Sequence, residues 1–201
     1  FSTPPGGGGP GAGRGGVVPA LEVFLPVPRV RRRGRRFVWD DRGRWTVGRA
    51  HGFFGNVGVL VRAYTYICSL GRDGLERVGR AAIINANYLK HLLSGVLTVP
   101  FGRSCMHECV ASLKSVKAHG VTAWDVAKRL LDYGFYAPTV YFPGLVEEAF
   151  MIEPTETESK ETLDAFAQAL IRILEEAAST PERLTHAPQR LCVNRLDEVK
   201  A

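Results

Sequence analysis

TAWDVAKRLLDYGFYAPTVYF, residues 122–142, carries the clearest fold signal in the chain. Thr122 precedes an apolar periodic run and Asp125 stands three residues on, the spacing at which two side chains cap a helix start reciprocally. Ala123, Val126, Ala127, Leu130 and Leu131 recur at helical intervals, and Gly134 supplies the backbone freedom that ends such a helix. Residues 139–142 then read as a short strand, as do residues 106–112 before the helix and 149–152 after it. Thr155 with Glu158 repeats the capping spacing and opens a second helix, with Leu163, Phe166, Ala167, Leu170, Ile173 and Leu174 on its apolar face. This β-α-β-β-α order predicts a compact two-layer α+β unit, its helices covering one face of a small sheet.

Upstream the pattern changes. Val57, Leu60, Val61, Tyr64, Ile67 and Cys68 repeat at helical spacing, with Val59, Ala63 and Leu70 on other faces, so a largely buried helix is expected. Gly71 is its expected cap, and a second helix over residues 74–93 carries Leu75, Val78, Ala82, Ile83, Ala86 and Leu89. Residues 1–50 concentrate Gly, Pro and Arg and read as loops and short strands, with apolar pieces at 21–25 and 37–39. Residues 181–201 read as a surface tail, and no internal repeat is visible.

The net charge of +6 has a local origin, because RVRRRGRR at 29–36 holds six arginines and the remainder balances. A nucleic-acid patch would need stacking aromatics interleaved with the charge, so a solvated loop is the expectation and nucleic acid is not an expected partner. Four cysteines (Cys68, Cys105, Cys109, Cys192) without a secretory segment point to free thiols in a reducing compartment. No apolar run reaches bilayer length, so a cytoplasmic protein with no membrane partner is expected.

Few motifs survive a physical test. Gly11 to Gly16 formally matches the dinucleotide fingerprint, yet Pro19 follows where the helix should start. No phosphate-loop lysine is present. Cys105, His107 and Cys109 alternate as strand residues would, but a closed zinc site needs a fourth ligand, so no metal site is expected. Phe53-Phe54-Gly55-Asn56 stands at a helix start, where free backbone N–H groups and a side-chain amide could receive an anion; an ordinary cap by Asn56 is the simpler role. Eight glycines between Gly6 and Gly16, among them Gly7 and Gly8, allow close backbone approach to a ligand.

FSTPPGGGGPGAG, GFFGNVGVLVRAYTYICSLG, AAIINANYL, MHEC, DVAKRLLDYGFYAPTVYFP and MIEPTETESKETLDAF occur in this order from Phe1 onward. Together they resemble the glycine dehydrogenase (decarboxylating) family, the P-proteins of the glycine cleavage system, and within it the C-terminal part of subunit 2 of the two-subunit form. The resemblance runs to about Arg195. It implies the C-terminal part of a fold type I α/β enzyme dependent on pyridoxal 5′-phosphate (PLP). Residues 1–93 would close the large cofactor-binding domain, 95–178 would be a small α+β domain, and 179–201 a C-terminal tail. It also implies cofactor contacts at Gly7, Gly8, Gly55 and Asn56, and a hetero-oligomer with subunit 1. The implied reaction is oxidative glycine catabolism: glycine loses CO2 and its aminomethyl group passes to the lipoyl arm of H-protein.

In that family the Schiff-base lysine lies in a His-Lys-Thr triplet just before the segment matching Phe1 to Pro4. The resemblance thus implies no catalytic residue within this chain and no activity for it alone. A non-catalytic scaffold of the same complex is the alternative. The chain departs from the family pattern at Pro5 and Tyr136, where histidines are usual, at Arg14-Gly15 in place of Pro-Val, and at Phe54 in place of tyrosine. The purified chain, incubated with PLP and reduced with borohydride, is expected to show no stoichiometric single-site lysine adduct by mass spectrometry. Such an adduct on Lys90 or any other lysine overturns that expectation.

Overall fold

In a computed structural model of the chain, residues 15–50, 56–197 and 200 are described. The chain forms two compact units, Phe1–Leu75 and Glu76–Ala201.

In the first unit a 3-10 turn, Pro19–Phe24, leads to β1 (Arg29–Arg33), which pairs antiparallel with β2 (Arg36–Asp40). The arginine run is therefore a hairpin and not the expected loop. Gly34 reverses the chain at a φ of 59°, a conformation that costs a residue with a Cβ. Cross-strand register sets Val30 opposite Trp39 and Arg32 opposite Phe37, so aromatic rings do stand beside the arginines in space although not in sequence. Arg31 Nε bonds Asp40 at 2.7 Å. Residues 46–48 fold back on 24–27, with Thr46 Oγ1 donating to the Leu25 carbonyl at 2.6 Å.

The two helices expected around Gly71 are present and are labelled together as α1 (Val57–Leu93), joined across a kink at Gly71 with φ 61° and ψ −171°. The break falls where the cap was expected, but the chain resumes its helix at once. In the first unit's part of α1, burial departs from the pattern: Val59 is buried, whereas Val57, Leu60, Val61, Tyr64 and Ile67 are exposed. No described element of that unit covers this apolar stripe.

The second unit holds the core. β3 (Cys109–Ser112), β5 (Ala149–Ile152) and β4 (Thr139–Val140) form an antiparallel sheet in the order β3-β5-β4. The register pairs Cys109 with Ile152 and Ala111 with Phe150, and these four side chains point into the core. They meet Leu89 and Leu93 of α1, Val126 and Leu130 of α2 (Ala123–Asp132), and Leu170 and Ile173 of α3 (Lys160–Ser179). The first strand is shorter than expected, so Cys105 and His107 lie outside it. β4 is likewise two residues long. α3 begins at Lys160, capped by Ser159 Oγ accepting the Thr162 N–H at 3.2 Å, and the expected Thr155–Glu158 box is instead a turn closed by Glu158 N–H to the Thr155 carbonyl.

The capping box at α2 is present on both sides. Thr122 N–H donates to Asp125 Oδ2 at 2.8 Å, and Asp125 N–H donates to Thr122 Oγ1 at 3.3 Å. The other oxygen of Asp125 accepts Arg195 Nη2 at 2.6 Å. At the far end of α2, Asp132 Oδ1 accepts the backbone N–H groups of Gln189 and Arg190, each at 2.7 Å, and Oδ2 pairs with Arg129 at 3.0 Å. The start of the expected surface tail is thus part of the core, with Leu184, in α4 (Glu182–Thr185), and Ala187 fully buried, whereas residues 189–197 are exposed as expected. Sequence hydropathy missed this because the segment is held mainly through its backbone.

Glu176 completes this network, accepting Arg129 Nε at 2.8 Å, Arg129 Nη2 at 3.1 Å and the Tyr133 hydroxyl at 3.0 Å. Burial pushes the Glu176 carboxyl up, but the hydrogen bonds from Arg129 and Tyr133 outweigh it and hold it below the ordinary glutamate value. A carboxyl with a depressed folded pKa stabilises above its unfolded value and loses that contribution as pH falls through the folded one. Urea midpoints are therefore expected to decline as pH drops below the ordinary glutamate range, with a shallower decline in Arg129→Gln. Thr122→Ala is expected to cost about 1 kcal/mol and Asp125→Ala about 2 kcal/mol, since the latter also removes the charge-assisted bond from Arg195. The double variant should cost less than the sum, because both lesions break the same box.

Candidate functional site

Segments 135–139 and 151–154, with Glu158, line one pocket of about 360 Å3 in the second unit. Its walls are Phe135, Ala137 and Pro138 on the approach to β4, Met151 and Ile152 of β5, Leu89 of α1 and Phe166 of α3. Phe135 meets Phe166 edge to face, ring centroids 5.3 Å apart, which fixes the back of the pocket. Its polar residues include Thr139, Glu153, Glu158 and Thr162. Tyr136 also lines it and is 94% exposed. An apolar cleft with a few polar groups is the usual form of a small-molecule site.

Polar side chains on two sides of α1 organise the pocket's surroundings: Asn85 and Tyr88 on one, Asn87 and Lys90 on another. Asn85 Nδ2 donates to the carbonyls of Thr155 and Glu158 at 2.8 and 3.1 Å, tying down the turn that precedes α3. Asn87 exchanges two hydrogen bonds with Cys105, its Nδ2 donating to the carbonyl at 2.7 Å and its Oδ1 accepting the N–H at 3.0 Å. The Tyr88 hydroxyl donates to Asp164 at 2.6 Å, and Lys160 bonds the same carboxylate at 2.7 Å. Lys160 and Tyr88 together hold the Asp164 carboxyl below its usual range. Lys90 Nζ donates to the carbonyls of Phe101 and Arg103, so its ammonium is engaged in holding backbone. Sequence reasoning did not single out Asn85, Asn87 or Tyr88. The available signal was two asparagines, poor helix formers, one turn from an otherwise apolar stretch.

The other candidates do not gather into one place. Gly7, Gly8 and Gly55 lie outside the described residues. Asn56 is described and caps α1: its Oδ1 accepts the Val59 N–H at 3.4 Å. His107 is exposed, with Glu108 at 3.9 Å and Glu153 at 3.8 Å, and no metal-binding cluster occurs among the described residues. Burial pushes the Cys109 thiol up to about 12, with Cys105 adding to the shift.

A family model described as glycine dehydrogenase, C-terminal domain, matches residues 78–193, and the chain belongs to this family. Its relatives include a probable glycine dehydrogenase (decarboxylating) subunit 2 of Caldanaerobacter subterraneus subsp. tengcongensis, 52% identical over the whole chain and 41% of that protein. A protein of the same designation from Methylococcus capsulatus is 56% identical over the whole chain and 42% of its own length. The chain thus spans about two fifths of the relatives it matches. The crystal structure of glycine decarboxylase (P-protein) of the glycine cleavage system, in inhibitor-bound form, superposes with a TM-score of 0.63 at 21% identity, over 77% of this chain and 37% of that one. The fold is accordingly that of the C-terminal part of such a P-protein, and the expected β-α-β-β-α order is present within it. No described helix is long and apolar enough to cross a membrane.

Asn85→Ala is expected to raise the exchange rate of the Glu158 amide about tenfold, the effect of losing roughly 1.4 kcal/mol of hydrogen bonding at that turn. Exchange in the α2 amides should be unchanged. Native-state hydrogen exchange read by NMR checks both.

Proposed function

We propose that this chain is the C-terminal part of a PLP-dependent glycine decarboxylase, supplying the small domain and one wall of the cleft in which glycine loses CO2. The observation that carries this reading is end-to-end identity of 52% and 56% with proteins designated glycine dehydrogenase (decarboxylating) subunit 2. That designation implies a first subunit and a hetero-oligomer. The lipoyl arm of H-protein is the proposed acceptor of the aminomethyl group, and the cytoplasm the proposed compartment. Residues 1–93 would close the large domain, with 95–178 the small domain and 179–201 a C-terminal tail.

Bound PLP would supply an electron sink for the bond broken when CO2 leaves. Asn56 suits a place beside its phosphate: the cap uses only the side-chain oxygen, leaving the amide as a donor at the positive end of α1. Gly55, Gly7 and Gly8 are the proposed backbone contacts. The pocket lined by 135–139 and 151–154 is the small domain's proposed contribution to the cleft, with Glu153 and Glu158 among its lining residues.

The complete protein, reconstituted with its partner subunit and lipoylated H-protein, is expected to release labelled CO2 from carboxyl-labelled glycine. Assembly without CO2 release, with cofactor saturated, would instead support a non-catalytic scaffold. Asn56→Leu in that protein should weaken PLP affinity by more than tenfold, as expected for a lost charge-assisted hydrogen bond, while the apo melting temperature falls by only a few degrees. Unchanged affinity would leave Asn56 as a cap alone.

A further inference from the structure

α3 carries the apolar pocket on its N-terminal half, at Thr162 and Phe166. Its C-terminal half borders a second cavity of about 440 Å3 with a different chemistry, lined by Arg129, Asp132, Tyr133, Arg172, Glu176, Arg183 and Arg190. Four guanidinium groups face two carboxylates, an excess of two positive charges. The carboxylates are already matched. Arg129 takes Glu176 bidentately at 2.8 and 3.1 Å, and Asp132 at 3.0 Å. Tyr133, hydrogen-bonded to Glu176 at 3.0 Å, stays a neutral phenol.

The other three arginines keep most of their donors open. Arg183 sits 3.6 Å from Glu176, beyond good hydrogen-bond length, and Arg190 gives one N–H to the Asp132 carbonyl at 3.4 Å. Arg172 has no carboxylate within ion-pair distance among the described residues. These three come from three separate segments: α3, α4 and the stretch that Asp132 anchors through the Gln189 and Arg190 N–H groups. The anchoring holds the backbone of Arg190 beside the cavity.

We infer that this cavity is a binding site for a small phosphate-bearing anion. A carboxylate offers two oxygens and is satisfied by one planar fork, whereas a phosphate presents three to guanidinium groups converging from different directions. The confined volume excludes a polymer, which needs an open track of charge. The site is separate from the apolar pocket and does not depend on the reaction proposed above.

The test is isothermal titration of the full-length protein with inorganic phosphate, and separately with pyrophosphate, at ionic strength balanced with chloride. The same titrations on Arg172→Gln/Arg190→Gln supply the comparison, and phosphate bound elsewhere is common to both proteins and cancels in the difference. One saturable site is expected in the wild type, weakened at least about tenfold in the variant through lost charge-assisted hydrogen bonds, with the melting temperature unchanged. Tighter binding of pyrophosphate would identify a phosphorylated metabolite as the natural ligand, and equal or weaker binding free phosphate. If the double variant folds poorly, Arg172→Gln alone serves, since that exposed side chain holds no part of the core. Identical isotherms, or no saturable heat in the wild type, would overturn the inference and leave the arginines as a structural network.

Discussion

A carboxylate taken out of water must be met by donors, and the second unit is organised around two that are. Asp125 and Asp132 mark the two ends of α2, buried on a helix whose remaining inward positions are Ala, Val and Leu. Each acid makes one local bond set, to the capping box or to Arg129, and one distant set, to Arg195 or to the Gln189 and Arg190 backbone. The distant sets wrap the end of the chain across α2. Buried Leu184 and Ala187 follow from that wrapping, as does the position of Arg190 beside its cavity.

The second unit was legible where local chemistry and tertiary packing agree. Thr122 with Asp125 names the start of α2, Gly134 its end at φ 84°, and the Leu163 to Ile173 face of α3 is buried as its spacing requires. Thr155 misled because a capping pair also fits a turn: Asn85 takes the Thr155 and Glu158 carbonyls, and the helix waits for Ser159. The tertiary bonds of Asn85, Asn87 and Tyr88 span from 18 to 76 residues, a range that periodicity does not reach. The candidate site shows the same limit. Its two walls could be quoted as separate motifs, but only the β4–β5 pairing of Thr139 with Met151 brings them together.

In the first unit, pattern and burial part company. The Val57, Leu60, Val61, Tyr64 and Ile67 stripe has the spacing of a core helix and lies open, and Trp39 and Phe37 stand exposed on the hairpin. Hydrophobic periodicity reports that a face is meant to be covered without saying by what. The relatives are more than twice as long as this chain, so the covering surface need not be encoded within these residues.

Cys109 has a practical consequence. Its thiol is buried and pushed up to about 12, so at neutral pH almost none of it exists as the thiolate that oxidants and alkylating agents attack. Cys68 and Cys192 are exposed and Cys105 is half-buried. Reagents that seek thiols will therefore mark positions away from the sheet interior while the core strand stays silent. A maleimide that begins to consume Cys109 reports that β3 has parted from β5, which makes this side chain a built-in gauge of whether the small sheet is intact.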